Sequence, residues 1–150
     1  MTEDEYRNYV RVFNARDYDA LHAYFTDDVE LQVNKITLKG RAGFDRFYNH
    51  FHQVVREEIE IAGFLSGKNS FCADLLFRFT GLQSYTREWL KEKSGYAWRT
   101  ELAVGEEYYM QNFIMYDLND DGKIYRIRPA LYEPIGGAEP LYRALQDARS

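Results

Sequence analysis

Histidine is the usual proton carrier near neutral pH, and this chain has three, His22, His50 and His52. His22 falls in a short polar helical stretch. His50 and His52 are two apart on a longer helical pattern, so their side chains point about 200° apart and cannot act together. Surface or helix-end roles are expected for all three. Glu58 and Glu60 share one strand face, where alternate carboxylates serve acid–base chemistry if enclosed. The opposite face carries Ile59 and Ile61, so the carboxylates are expected on the solvated side, and Asp74 and Arg78 on the outer face of their own strand. Asn112 lies mid-strand among Met110, Phe113 and Ile114. Its amide is suited to donate to a developing enolate or carbonyl oxygen in a dry pocket, or to be a core amide satisfied by a neighbour. Tyr125 is expected to share the pocket face with Ile127 and Pro129 and offer a phenolic donor. Asn112 and Tyr125 are thus the catalytic candidates, and no general base is evident.

Other patterns point away from chemistry. Asp117–Ile124 imitates the first eight positions of a calcium loop, but the twelfth position is Arg128 where a bidentate Glu belongs. A hairpin turn at Asn119-Asp120-Asp121-Gly122 is expected, and no metal site. Cys72 is the single cysteine, which excludes an internal disulfide and a multi-cysteine zinc site. It has no adjacent His or Lys to activate it and reads as an inert thiol. The 19 Lys and Arg against 24 Asp and Glu give a net charge of −5 without a basic cluster, which argues against nucleic acid. No stretch reaches the ~20 apolar residues of a membrane span, and the acidic start is not a signal peptide. A cytoplasmic protein with a single domain over residues 1–150 is expected.

The elements that must position these groups follow from periodicity. Tyr6, Tyr9, Val10 and Phe13 recur at helical spacing over about residues 4–14. Asp17 or Asp19 can cap a second short helix burying Leu21, Tyr24 and Phe25. Val29, Leu31 and Val33 alternate as a strand, which Gly40 ends. Phe44, Phe47, Tyr48, Phe51, Val54 and Val55 form a wide aromatic stripe on a third helix, which demands a large partner surface. From Glu57 the period becomes two, with turn chemistry at Gly63, Gly67 and Asn69. Phe71–Phe79 reads as a strand covered on both faces. Tyr108–Tyr116 and Lys123–Leu131 are two more strands. Residues 83–105 combine Trp89, Tyr96 and Trp98 with seven charges (Arg87, Glu88, Lys91, Glu92, Lys93, Arg99, Glu101) and suggest an arm or lid. Gly136-Gly137 precedes a terminal helix with Leu141, Leu145 and Ala148 on one face. Helices come first and strands after, an α+β class.

The series Arg16-Asp17-Tyr18-Asp19-Ala20-Leu21, Tyr24-Phe25-Thr26-Asp27-Asp28-Val29 and Gly40-Arg41-Ala42-Gly43-Phe44 resembles the opening of the SnoaL-like branch of the NTF2-like superfamily. Asn112–Tyr116, Asp121–Ile124 and Ile127-Arg128-Pro129 resemble its last two strands. The resemblance covers most of residues 4–132, leaving 133–150 as a tail. It implies a cone in which three helices pack on a curved antiparallel sheet around an apolar pocket. It also implies a membership of cofactor-free cyclases, isomerases, dehydratases, epoxide hydrolases and non-catalytic subunits.

Within that superfamily the chain is most similar to scytalone dehydratases. Where those enzymes carry a Tyr-Asp pair, a second tyrosine and two histidines, it has Phe13-Asn14, Val33, Ile59 and Leu75; their asparagine persists as Asn112. Arg16–Val29 also resembles the small subunit of ring-hydroxylating dioxygenases. The expectation is therefore a pocket formed by Tyr9, Phe13, Val33, Phe47, Tyr48, Phe51, Ile59, Leu75 and Ile127 that takes a small apolar molecule. A cofactor-free lyase or isomerase acting on an apolar cyclic or polyketide-like substrate is one reading. A non-catalytic ligand-binding or accessory subunit is the other. A homodimer through the outer sheet face is expected, because one helix-covered face leaves the other available.

Overall fold

The computed structural model describes residues 1–150 except Asn34, Lys35 and Arg99. Two helices, α1 (Glu3–Asn14) and α2 (Tyr18–His22), lead into strands β1 (Phe25–Val33) and β2 (Ile36–Lys39), then α3 (Gly40–Val54). The strands β3 (Val55–Ser66) and β4 (Ser70–Gly81), the helix α4 (Arg87–Ser94), the strands β5 (Glu107–Leu118) and β6 (Ile124–Tyr132), and α5 (Ala138–Asp147) complete the chain. The strands form one sheet in the order β2-β1-β6-β5-β4-β3. Every neighbouring pair is antiparallel except β1 with β6, which is parallel. This is the α+β cone expected from the sequence.

Local chemistry explains the helices. Thr2 accepts from the Glu5 N–H while the Glu5 carboxylate accepts from the Thr2 N–H, a capping box that starts α1. Tyr6, Tyr9, Val10 and Phe13 are buried against the sheet. Asn14 then fastens the helix end to the edge strand: its Nδ2 donates to the Ile59 carbonyl and its Oδ1 accepts from the Ile59 N–H, both at 3.0 Å. The side chain substitutes for a neighbouring strand and covers an exposed sheet edge. Gly40, at φ 71°, turns the chain from β2 directly into α3.

The sheet bends where an extra residue enters one strand. Register slips occur between Ile61 and Gly63 against β4, and between Asp117 and Leu118 against β6; such bulges increase twist and curl the sheet. Gly63 therefore marks a bulge inside β3 rather than a turn. The β5–β6 connection is the expected hairpin turn, with the Asn119 side chain accepting from the N–H groups of Asp121 and Lys123. Asp117 is held by Arg126 and Arg128, the latter the residue that breaks the calcium pattern.

Two expectations are corrected. Residues 83–105 do not stand off as an arm: Leu90, Ser94, Trp98 and Leu102 are buried, and α4 packs on α3. Helical periodicity reconciles the composition, because Arg87, Glu88, Lys91, Glu92 and Lys93 face outward while Leu90 and Ser94 face in. Arg99 lies outside the described residues. The excursion is stitched at its base, where the Gly81 N–H donates to the Glu106 carbonyl and the Gly105 N–H donates to the Gly81 carbonyl. A Cβ on Gly81 would sit 2.0 Å from the Ala103 carbonyl oxygen, so only glycine fits.

The second correction concerns the terminal helix. Its buried face is Ala138, Tyr142 and Leu145, packed on Leu76 and Tyr109 of the outer sheet face, whereas Leu141 is 43% exposed. Part of the face expected to await a partner is thus covered by the chain's own α5. Glu58 and Arg78 lie on that outer face as expected, 2.6 Å apart, with the guanidinium over the Tyr142 ring. Glu60 pairs there with Arg149, and Asp74 accepts from the Gln111 amide. No helix among the described residues is long and apolar enough to cross a membrane. Leu90→Ala is expected to cost about 2–5 kcal/mol, the range for a fully buried leucine, measured by chemical denaturation; a loss near zero would restore the arm.

Candidate active site

The concave sheet face and helices α1 and α3 enclose a cavity of about 110 Å³. All nine expected pocket residues line it, with Tyr9 and Phe13 from α1, Phe47, Tyr48 and Phe51 from α3, and Val33, Ile59, Leu75 and Ile127 from the sheet. Phe77, Phe79, Met110 and Trp98 complete an aromatic wall. Trp98 packs on Phe79 and Phe51, at ring-centroid distances of 4.6 and 5.2 Å. Asn112 also faces this space. It is 6% exposed, and its amide forms no hydrogen bond among the described residues. A buried amide without a protein partner is uncommon, and the cavity is where its partner would sit.

Tyr125 does not join it. The slip that pairs Asp117 with Arg126 but Leu118 with Ile124 leaves Tyr125 as the extra residue of a bulge. Simple alternation fails there, so Ile124 and Ile127 are both buried while Tyr125 is 39% exposed beside Arg126. The candidate phenol is therefore on the outside.

Different phenols and an unexpected carboxylate are inside. Glu57 is 6% exposed and lines the cavity. Its Oε2 lies 3.0 Å from His52 Nε2, and His52 Nδ1 lies 2.5 Å from the Tyr18 hydroxyl. Burial, reinforced by the Glu57 charge, pushes the Tyr18 phenol up to about 12, so it stays protonated. With that phenol donating to Nδ1, the ring turns an Nε2 proton toward the carboxylate. The second carboxylate oxygen, Oε1, accepts no hydrogen bond among the described residues. The ring is fixed further by the Arg16 guanidinium on the His52 carbonyl at 3.1 Å, from a residue at φ 61° just past α1.

Tyr9, Tyr48 and Tyr116 also line the cavity. Burial first, and the charges of neighbours including Glu57, hold all three phenols well above the usual tyrosine range. They therefore act as neutral donors. Tyr116 is braced from behind by Tyr6, hydroxyl to hydroxyl at 2.8 Å. Glu57 stands on β3 opposite Phe79, and Asn112 on β5 opposite Leu75. The two are two strands apart and offset by four residues along β4, roughly 10 Å across the sheet and 13 Å along it, with aromatic surface between them.

Both residues of the buried pair were visible in the pattern. Glu57 shares strand parity with Val55, Ile59 and Ile61, which places it on the core face, whereas Glu58 and Glu60 drew attention by being a pair. His52 continues the row Phe44, Tyr48 at steps of four, and so lies along the aromatic stripe; judged only against His50, it reads as a surface residue. His50 does remain near the surface, bonded to the Arg46 carbonyl, and His22 meets Asp45 at 2.8 Å. His52→Leu leaves a buried carboxylate unpaired and is expected to destabilise by about 3–5 kcal/mol. The double variant His52→Leu/Glu57→Leu should recover most of that loss in denaturant titrations. A double variant no more stable than His52→Leu would show that the pair is not what holds this wall.

Comparison with known proteins agrees with this geometry. The profile of the SnoaL-like domain matches residues 6–127. Among curated proteins none matches. A proposed polyketide cyclase from Silicibacter sp. TM1040 superposes with a TM-score of 0.68 at 22% identity, over 86% of this chain and 87% of that one. A SnoaL-like polyketide cyclase from Agrobacterium tumefaciens C58 gives 0.63 at 18%, over 88% and 93%. The epoxide hydrolase/cyclase-like enzyme SalBIII, of pyran ring formation in the polyether salinomycin, gives 0.63 at 19%, over 88% and 95%. These likenesses share the fold, and the profile, which spans most of the chain, places it in the SnoaL-like domain family.

Proposed function

We propose that the protein is a cofactor-free lyase or isomerase, dehydratase- or cyclase-like, acting on an apolar cyclic or polyketide-like molecule. The observation that carries this reading is the Glu57 carboxylate, held by His52 on the wall of an aromatic cavity, with one oxygen unbonded among the described residues. That oxygen is the base missing from the sequence. Glu57 Oε1 takes a proton from a carbon beside a carbonyl, and the C–H electron pair moves onto the carbonyl oxygen. A phenol beside Glu57, Tyr9 or Tyr48, donates to that oxygen as charge develops. The enolate then collapses. It takes the Glu57 proton back at another carbon, which is isomerisation, or expels a β-hydroxyl that leaves with that proton as water. Each outcome restores the carboxylate and needs only positioned proton donors and acceptors.

A second reading, a non-catalytic hydrophobic-ligand or accessory subunit, is supported by Phe13, Val33, Ile59 and Leu75, which present only hydrocarbon to the cavity. Deuterium uptake from D2O into 2-cyclohexen-1-one and related cyclic ketones, followed by NMR, separates the two. Glu57→Gln is expected to lower the protein-catalysed rate by about 10²–10⁴-fold. Unchanged exchange in Glu57→Gln would remove the assigned base. Exchange in the wild type no faster than in buffer, across the panel, would favour the binding subunit.

Homodimerisation is proposed through the strip of outer sheet face that α5 leaves open. There Phe113 and Tyr132 stack at 5.3 Å while staying 39% and 46% exposed. A second copy covering this strip would remove an apolar patch from water. Light scattering at micromolar concentration should exceed the monomer mass of 17.8 kDa; a monomer would overturn the proposal.

A further inference from the structure

The cavity does not end at Asn112. A second space of about 80 Å³ shares Val33, Tyr96, Trp98, Met110, Asn112 and Pro129 with the inner chamber and adds Leu131. Leu131 is 40% exposed and brings this vestibule to the surface. Asn112 therefore borders both spaces; it is nine-tenths buried, and its amide has no hydrogen-bond partner among the described residues.

We infer that the ligand is a single-ring compound with a carbonyl or hydroxyl on the ring or on its first substituent atom, followed by a short chain. This rests on the reading of the cavity as the ligand site, and it narrows the ligand class. The inner chamber holds about 110 Å³. An engineered cavity of about 150 Å³ takes one benzene, so this smaller chamber takes at most one ring and a fused second ring does not fit. The walls that would have to yield are tightly packed. Phe47 stacks on Phe51 and Phe77 on Phe79, and Trp98 lies tilted against Phe79; enlarging such a core costs stability. The polar point at the neck fixes where the oxygen belongs. An amide that offers both a donor and an acceptor but has no partner among the described residues rejects a hydrocarbon there, because the ligand would leave it dry and unsatisfied. Beyond the neck the vestibule opens outward, so carbon added to the chain meets space whereas carbon added to the ring meets phenylalanine.

The two directions of growth give the test. Binding is measured by calorimetry for acetophenone, its hydrocarbon analogue isopropylbenzene, its chain-extended analogue butyrophenone and its two-ring analogue 2-acetylnaphthalene. Acetophenone is expected to bind at least about tenfold more tightly than isopropylbenzene. Butyrophenone should match or exceed acetophenone, and 2-acetylnaphthalene should bind at least about tenfold more weakly than acetophenone. Asn112→Leu should abolish the preference for acetophenone over isopropylbenzene while keeping the ring-size limit; the wild-type comparison stands even if that variant does not fold. Tighter binding of 2-acetylnaphthalene, or equal binding of acetophenone and isopropylbenzene, would overturn the inference. The same panel run in Glu57→Gln reads ligand fit without turnover, so a failure of the catalytic reading and a failure of the ligand class give different results.

Discussion

A carboxylate inside an aromatic box is the constraint on which the rest of this structure depends. Removing a carboxylate from water is costly unless a partner compensates, and Glu57 has one partner, the His52 Nε2 at 3.0 Å. His52 must then keep its ring orientation and its proton on the right nitrogen. Tyr18 secures the nitrogen, and the Arg16 guanidinium on the His52 carbonyl secures the backbone behind it. Tyr18 is placed by α2, which Asp17 caps, and Arg16 by the left-handed residue that ends α1. A single charge thus draws on α1, α2, α3 and β3 together, and the short helix between Asp17 and Ala23 has a structural purpose beyond filling space.

The aromatic wall makes that charge useful. Electrostatic interactions lengthen their reach in the low-dielectric interior, and the three phenols near Glu57 are held neutral. The cavity therefore presents one strong acceptor and several donors that do not compete with it for a proton. Tyr116 and His52 are paired with protein, whereas the Asn112 amide and Glu57 Oε1 make no hydrogen bond among the described residues.

Much of the fold was legible because its periodicities are clean. The 3.6-residue stripe from Phe44 to Val54 and the almost unbroken apolar run from Phe71 to Phe79 together call for a helix against a curved sheet. The pocket walls were legible for the same reason. What failed, failed at particular positions. Tyr125 sits in a bulge, and a bulge reverses the parity that any alternation argument relies on. Glu57 obeyed parity but was passed over for the neighbouring pair Glu58 and Glu60, whose burial was never required. The charges of residues 87–93 were read as an average over a segment, although a helix sorts them by face. The docking of α5 follows from Ala138 and Tyr142, and its amphipathic pattern by itself does not say which surface it covers.

The stitches at Gly81 have a consequence for how such a protein changes over time. Residues 82–104 leave the sheet and return to the same point, where Gly81 bonds to both Gly105 and Glu106. The β4–β5 register is carried by the strand pairs from Thr80–Glu107 onward and takes no part in what lies between. Closing a longer or shorter excursion alters the loop entropy only slowly with length. Yet this excursion supplies Tyr96 and Trp98 to the chamber and its vestibule. The chain therefore carries an exchangeable cassette. Its contents can be rewritten to admit a different guest, while the carboxylate, its histidine and the sheet beneath them are inherited unchanged.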